Sequence, residues 1–264
     1  MSERAPMTLA VAYPSSVPRA LTGDVERQLG AALSRALPRP DRVSGVLEAV
    51  FAQIGGVATS RSLIERLPTG ARAWLLTRAA VRFLPGVQWF QSTCDTCGES
   101  YDLSLSLADV PRGEPSKAFP VIDIATSLGT KRFEVPNGRT ELELSGTERM
   151  DGLRSLAALT GLSLSAEEDA AAFTEDDLAE IDAALDAATP DISESIVTAC
   201  PACAAQTTTV IDPLEFAFPN AAALDRDTHL IASAYGWGER DIHALPSARR
   251  RRYAQMIAAE ARGR

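Results

Sequence analysis

The sequence predicts an α+β fold, and three features carry that expectation. Two short cysteine knuckles each run into an alternating, strand-like stretch: Cys94-Asp-Thr-Cys97-Gly98 before 101–107, and Cys200-Pro-Ala-Cys203 before 207–211. An acidic stretch with mixed strand and helix patterns lies between them. Capped amphipathic helices flank the whole. Cys94, Cys97, Cys200 and Cys203 are the chain's four cysteines among 264 residues. Two CxxC pairs supply the four sulfurs of a tetrahedral structural zinc site, one ion per chain.

The connection between the pairs is 102 residues, against about 15 to 20 in an ordinary ribbon. Loop-closure entropy grows only as the logarithm of length, so the excess costs about 1.5–2 kcal/mol. A structural zinc site contributes on the order of 10 kcal/mol or more, and the metal term wins. The reading is one split zinc ribbon, 88–110 and 196–218, with an acidic α+β region, 111–195, inserted between its knuckles. Two alternatives compete with it. A redox CxxC opens a helix in thioredoxin-like folds, whereas Gly98-Glu-Ser-Tyr-Asp-Leu favours a turn and strand. Disulfides need an oxidising compartment, and Met1-Ser-Glu-Arg-Ala-Pro lacks the apolar segment of a signal peptide. With four sulfur ligands no coordination position stays open, so the site is structural.

Taken in order, 1–20 reads as a flexible arm broken by Pro6, Pro14 and Pro18. Residues 21–87 form a helical region. Thr22 or Asp24 caps a helix to Leu37, stopped by Pro38 and Pro40; Val43 to Ile54 is a second helix, ended by Gly55-Gly56. Ser60 to Leu67 is short. Thr69 to Leu84 has the broadest apolar face of this half, through Trp74, Leu75, Leu76, Ala79, Val81 and Leu84. A strand, 87–92, then enters the first knuckle.

In the insert, 119–124 and 132–135 read as strands. Pro136-Asn137-Gly138 reads as a tight turn before an alternating strand over 140–144. Thr147, Ser165 and Thr174-x-x-Asp177 start three helices, and 190–197 forms a last helix leading into Cys200. Beyond the second knuckle, 219–264 reads as a C-terminal module of three short helices: 221–235, 238–245 and 246–261. Ile231, Tyr235, Trp237, Ile242, Leu245, Tyr253 and Ile257 are spaced to form its small core.

Charge and missing motifs bound the function. No apolar run approaches the length of a membrane span. Net charge is −9, which argues against a general nucleic-acid binder. Residues 141–190 carry 13 Asp/Glu against two Arg, while the last 16 residues carry six Arg against one Glu. The two could be complementary surfaces in an assembly. No phosphate loop, nucleophile elbow, dinucleotide fingerprint or HExxH appears. His229 and His243, the two histidines, sit in helical runs and read as packing or surface residues. The expectation is a non-enzymatic protein with no small-molecule substrate. Tyr235, Trp237 and Tyr253 with Arg249, Arg250, Arg251 and Arg252 are the candidate partner-binding set, because Tyr, Trp and Arg are enriched at interface hot spots.

Several motifs together resemble a known family. They are Leu67-Pro-Thr-Gly-Ala-Arg before a helix, Cys94-x-x-Cys-Gly, Val135-Pro-Asn-Gly, Cys200-Pro-x-Cys and Ile211-Asp-Pro-Leu-Glu-Phe. The chain closes with His229-Leu-Ile-Ala-Ser-Ala-Tyr-Gly-Trp-Gly-Glu-Arg-Asp-Ile, then Leu-Pro, Arg-Arg and Tyr. This resembles the zinc-knuckle baseplate and hub-assembly proteins of contractile phage tails and phage-tail-like injection systems, from about residue 60 onward. It departs from them in Thr93-Cys94-Asp95, where Cys-Pro is commoner, and the first 40 residues lie outside the likeness. The resemblance implies a structural or assembly component, partnered by other baseplate or tail proteins. It implies a place in the bacterial cytoplasm or in a particle assembled there. The alternative expectation is a zinc-ribbon adaptor that contacts nucleic acid or a transcription partner through its Arg-rich C-terminus.

Overall fold

A computed structural model describes residues 3–116 and 120–262, and its helices accompany small antiparallel sheets, as in an α+β fold. The first half holds β1 (Ser16–Pro18), α1 (Gly23–Ala32), α2 (Arg39–Val50), β2 (Phe51–Ile54), β3 (Val57–Ala58), α3 (Arg61–Glu65) and α4 (Thr69–Phe83). Thr22 and Ser60 cap as their side chains allow, accepting the N–H groups of Val25 and Leu63. Pro38 and Pro40 do not stop a helix. They open α2, where a missing N–H costs nothing. The helix expected to run to Ile54 yields at Phe51 to β2, which pairs antiparallel with β1 and β3. That pairing holds down the segment read as an arm. Thr8 is buried, and the N–H groups of Met7 and Thr8 both donate to Glu134. Leu29, Val46, Leu47, Val50, Ile64 and Leu75 make the first core. Each such side chain is worth about 1.5–3 kcal/mol of burial.

The knuckle strands β4 (Val87–Thr93) and β5 (Ser100–Ser106) come next. The insert follows: β6 (Val121–Thr126), β7 (Gly129–Glu134), α5 (Gly138–Leu144), α6 (Arg149–Thr160), α7 (Ala166–Ala172) and α8 (Glu175–Ala188). Its core sets Ile122, Ile124 and Phe133 of the β6–β7 hairpin against Leu178, Ile181 and Leu185 of α8. The Thr174–Asp177 capping box starts α8 as its sequence requires. Phe119, the first residue of an expected strand, lies outside the described residues.

Three expectations in the insert are corrected. Residues 140–144 form α5 and not a strand: the Asn137 side chain accepts from the N–H groups of Arg139 and Thr140, and that cap overrides the alternation. Thr147 does not cap α6, whose preceding residue is Glu148. The stretch read as a last helix is extended. Ile192 bridges Arg112, and β8 (Ser195–Ala199) pairs with β9 (Gln206–Val210).

That bridge explains how the halves of one site can lie 102 residues apart in sequence. Gly113 N–H donates to Asp191 O at 2.7 Å and Ser193 N–H to Pro111 O at 3.1 Å, so the insert's two ends are tied together. The exit then passes over α4 at Gly70, where a Cβ would fall 1.9 Å from the Pro190 carbonyl oxygen. The insert is docked as well. Arg72 of α4, 1 % exposed, donates to Glu141 of α5, to Ser44 Oγ and to the carbonyls of Pro40 and Ile64. Burial lowers the pKa of this guanidinium, and the Glu141 carboxylate opposes the shift.

Past β9 come α9 (Pro213–Phe216), α10 (Ala221–Tyr235), α11 (Glu239–Ala244) and α12 (Ser247–Arg262). The last three match the expected module. They are not free of the rest: α10 and α11 pack on α1, with α12 on α10. Ile231 and Ile242 are fully buried, whereas Tyr235 and Trp237, read as core, are exposed.

Candidate metal centre

The two knuckles are the same turn built twice. β4 and β5 pair from Val87 with Ser106 to Thr93 with Ser100, and β8 and β9 from Ser195 with Val210 to Ala199 with Gln206. Each hairpin therefore closes over six residues, 94–99 and 200–205. In the first, Cys94 N–H donates to Glu99 O and Gly98 N–H to Cys94 O, both at 2.9 Å. In the second, Cys200 N–H donates to Ala205 O and Ala204 N–H to Cys200 O, again at 2.9 Å. The fourth residue after each leading cysteine is left-handed: Gly98 at φ 75° and Ala204 at φ 59°.

The hairpins face one another. Ser92 and Thr209 hydroxyls meet at 2.9 Å, and Tyr101 OH meets Thr198 Oγ1 at 2.8 Å. At the base, the rings of Phe90 and Phe216 pack edge to face at 4.8 Å, and Leu107, Ile211 and Ala217 bury against Ala80 of α4.

This arrangement brings all four predicted sulfurs together, within 4.8 Å of one another. Cys94 Sγ lies 3.7 Å from Cys203 Sγ, and Cys97 Sγ lies 3.7 Å from Cys200 Sγ. The leading cysteine of each knuckle is buried and the trailing one exposed, so each close pair joins a buried sulfur to the other knuckle's exposed one. A zinc–sulfur bond of about 2.3 Å implies a tetrahedron edge of about 3.8 Å. The donor set and its spacing fit one four-coordinate ion.

The thiols are unequal without a metal. N–H groups of Cys97 and Thr96, with the Thr207 hydroxyl, pull the Cys94 thiol down to about 6. For Cys97 the Glu99 N–H favours the thiolate, but the neighbouring thiols of Cys203, Cys94 and Cys200 and desolvation outweigh it and push the pKa up to about 12.

The candidate partner-binding residues divide. Tyr235, Trp237 and Tyr253 form one cluster, with ring centroids 5.4, 5.6 and 6.2 Å apart. Arg249 stacks over Tyr253 and donates to its hydroxyl. Arg252 is exposed. Arg250 must be corrected: at 1 % exposure its guanidinium pairs with Glu26 of α1 and with Asp227 of α10, so it joins elements and faces no partner. Arg251 also reaches Glu26, at 2.8 Å, with its side chain half exposed. A helix wheel separates these residues, but only the tertiary position of Glu26 reveals which arginine turns inward.

Sequence reasoning missed a cleft of about 640 Å³ between α2, α4 and the insert's exit. Its arginines are already engaged, Arg72 by Glu141 and Arg39 by Asp212 and Glu194. Its other charged residues, Glu114, Asp186 and Asp191, are acidic. Among the described residues no helix is long and apolar enough to cross a membrane. Compared with family models, with curated proteins and with solved structures, the chain finds no match.

Proposed function

We propose that the chain is a zinc-stabilised, non-enzymatic structural or assembly component of the baseplate of a contractile tail or tail-like injection machine. The observation that carries the zinc half of this reading is the convergence of four thiols from two matching knuckles onto one tetrahedral spacing. In this reading the hairpins are the halves of a split zinc ribbon, and the 111–195 region is its insert. The metal supplies a cross-link, holding two distant chain segments together where the hairpins themselves bury little. Four sulfur ligands leave no position for a substrate, which favours a structural role.

The assembly role rests on the motif resemblance and on the exposed aromatic cluster with Arg249 and Arg252 at the C-terminal module. Other tail proteins are the partners it fits. A nucleic-acid adaptor is less well supported, since Arg250 and Arg251 are occupied by Glu26. The net charge of −9 further weakens the phosphate attraction on which such binding depends.

The test joins metal and assembly. Purified protein should hold one zinc per chain. Deleting the gene in a producing strain should abolish contraction-competent particles, and wild-type protein should restore them. Normal particle numbers without the protein would end the tail reading, and metal-free protein with full stability would end the zinc reading.

A further inference from the structure

Access and proximity are divided between the four thiols in a particular way. Cys97 and Cys203 are exposed, while Cys94 is 1 % and Cys200 2 % exposed. The close sulfur contacts run across the seam, Cys97 to Cys200 and Cys94 to Cys203, both at 3.7 Å. Each exposed sulfur thus has a buried sulfur of the other knuckle against it. That is the arrangement of an attacked cysteine beside its resolving cysteine. A disulfide bond of about 2.05 Å lies within small side-chain rotations of this spacing.

The choice of pairing matters to the fold. A bond within a knuckle, Cys94 to Cys97 or Cys200 to Cys203, would leave the hairpins joined by the hydroxyl contacts Ser92–Thr209 and Tyr101–Thr198 and by the apolar base. A bond across the seam ties together chain segments that 102 residues separate, as the metal would. The chain has no fifth cysteine to compete for either bond.

We propose that the centre is a modification site for peroxide: oxidation expels zinc and leaves two disulfides across the seam, Cys97–Cys200 and Cys94–Cys203. The step rests on the zinc reading, because a zinc-bound sulfur is a thiolate and the raised pKa of Cys97 belongs to the metal-free chain. The exposed Cys97 sulfur attacks one peroxide oxygen. An S–O bond forms, the O–O bond breaks, and hydroxide leaves. The buried Cys200 thiolate then attacks the Cys97 sulfur, forming the S–S bond and expelling the sulfenic oxygen as a second hydroxide. Cys203 and Cys94 repeat the sequence. Two peroxides are reduced to four hydroxides as four thiolates are oxidised to two disulfides, and zinc leaves still divalent. The hairpins stay together after the metal is gone.

Zinc-loaded full-length protein treated with hydrogen peroxide tests this, with zinc counted before and after. Zinc release, read with a chromophoric chelator, should track thiol loss at one ion per four thiols. Remaining thiols are then blocked and the chain is unfolded and digested without reductant. Trypsin cuts at Arg82, Arg112, Arg154 and Arg226, so residues 83–112 carry one knuckle and 155–226 the other. The two peptides should appear in mass spectrometry as one linked species that a reductant separates. Two double variants fix the pairing. Cys97→Ser with Cys200→Ser leaves Cys94 with Cys203, and Cys97→Ser with Cys203→Ser leaves Cys94 with Cys200. The first should form its disulfide about tenfold faster, because the second has no exposed sulfur and no 3.7 Å contact. Where a variant fails to fold, the wild-type peptide map decides. Separate peptides with internal disulfides, sulfinic acid without linkage, or zinc retained in excess peroxide would each overturn the proposal and leave the zinc reading standing. Equal rates in two folded variants would overturn the pairing. Protein that holds no zinc before peroxide is added would end both readings.

Discussion

The two knuckles differ far less in shape than in sequence. Both close over six residues, both bury the leading cysteine, and both make the same pair of backbone hydrogen bonds. Yet between the cysteines one reads Asp95-Thr96 and the other Pro201-Ala202, and the left-handed position is Gly98 in one and Ala204 in the other. Turning two thiolates toward one point demands a left-handed residue just after the trailing cysteine. The first knuckle meets that demand with the residue that adopts it freely, and the second bears the strain of a Cβ.

The largest expected effect tests whether the knuckles share one ion. Cys94→Ser and Cys200→Ser open the same tetrahedron, so each should take zinc from one per chain to near zero. Structural zinc contributes on the order of 10 kcal/mol to an isolated site. In this chain separate apolar cores back the rest of the fold, so the loss should be confined to residues around the two hairpins. Elemental analysis with hydrogen exchange reads both. Two half-sites that lose metal independently would break the equivalence.

An intermediate effect concerns the seam. Tyr101→Phe and Ser92→Ala each remove one hydroxyl contact between the hairpins. Each should cost about 0.5–1.5 kcal/mol in chemical denaturation of the zinc-bound protein. A double-mutant cycle between Tyr101→Phe and Thr198→Val should show coupling, since the two groups meet directly.

The metal-free chain adds a pH test. The folded pKa of Cys94, about 6, lies below its ordinary 9.0, so its contribution is complete above that ordinary value and is lost as pH falls through about 6. Cys97, raised to about 12, goes the other way: its contribution is present below 9.0 and lost as pH rises toward 12. Ultraviolet thiolate absorbance of metal-free protein should therefore show a step near pH 6 that vanishes in Cys94→Ser and persists in Cys97→Ser.

What the sequence disclosed follows the range of the forces involved. The CxxC pairs, the caps at Thr22 and Thr174, and the three C-terminal helices are local signals, and they are present in the structure. The strand expected over 140–144 failed because a single side chain, Asn137, caps a helix there and the Arg72–Glu141 pair holds it down. The helix expected over 190–197 failed because its partners, Pro111 to Gly113 and β9, lie elsewhere along the chain. The inward turn of Arg250 depends on Glu26, more than 200 residues away. No periodicity carries that pairing.

The smallest effect sharpens the comparison most, because it asks whether the second knuckle is strained. Gly98→Ala places a Cβ on a residue at φ 75°, and no atom lies within 4 Å of that Cβ, so any cost is conformational and not steric crowding by neighbours. The penalty of a left-handed L-residue, about 1 kcal/mol, is partly offset by about 0.5–1 kcal/mol from the more restricted unfolded chain, so a net loss between zero and about 0.5 kcal/mol is expected. Ala204→Gly makes the opposite exchange. It removes a similar strain, while the added freedom of the unfolded chain takes back about 0.5–1 kcal/mol. The net change should lie between zero and about 0.5 kcal/mol of stabilisation, measured as the denaturation midpoint at saturating zinc. The pair Gly98→Ala and Ala204→Gly together swaps the knuckles' residues, and because the strain and unfolded-chain terms of the two exchanges oppose each other it should come out about as stable as wild type. If instead Ala204→Gly destabilises by as much as Gly98→Ala, the left-handed turn is not under strain in the second knuckle. The difference between the two would then have to lie in Pro201, which fixes one backbone angle of that turn before the metal arrives.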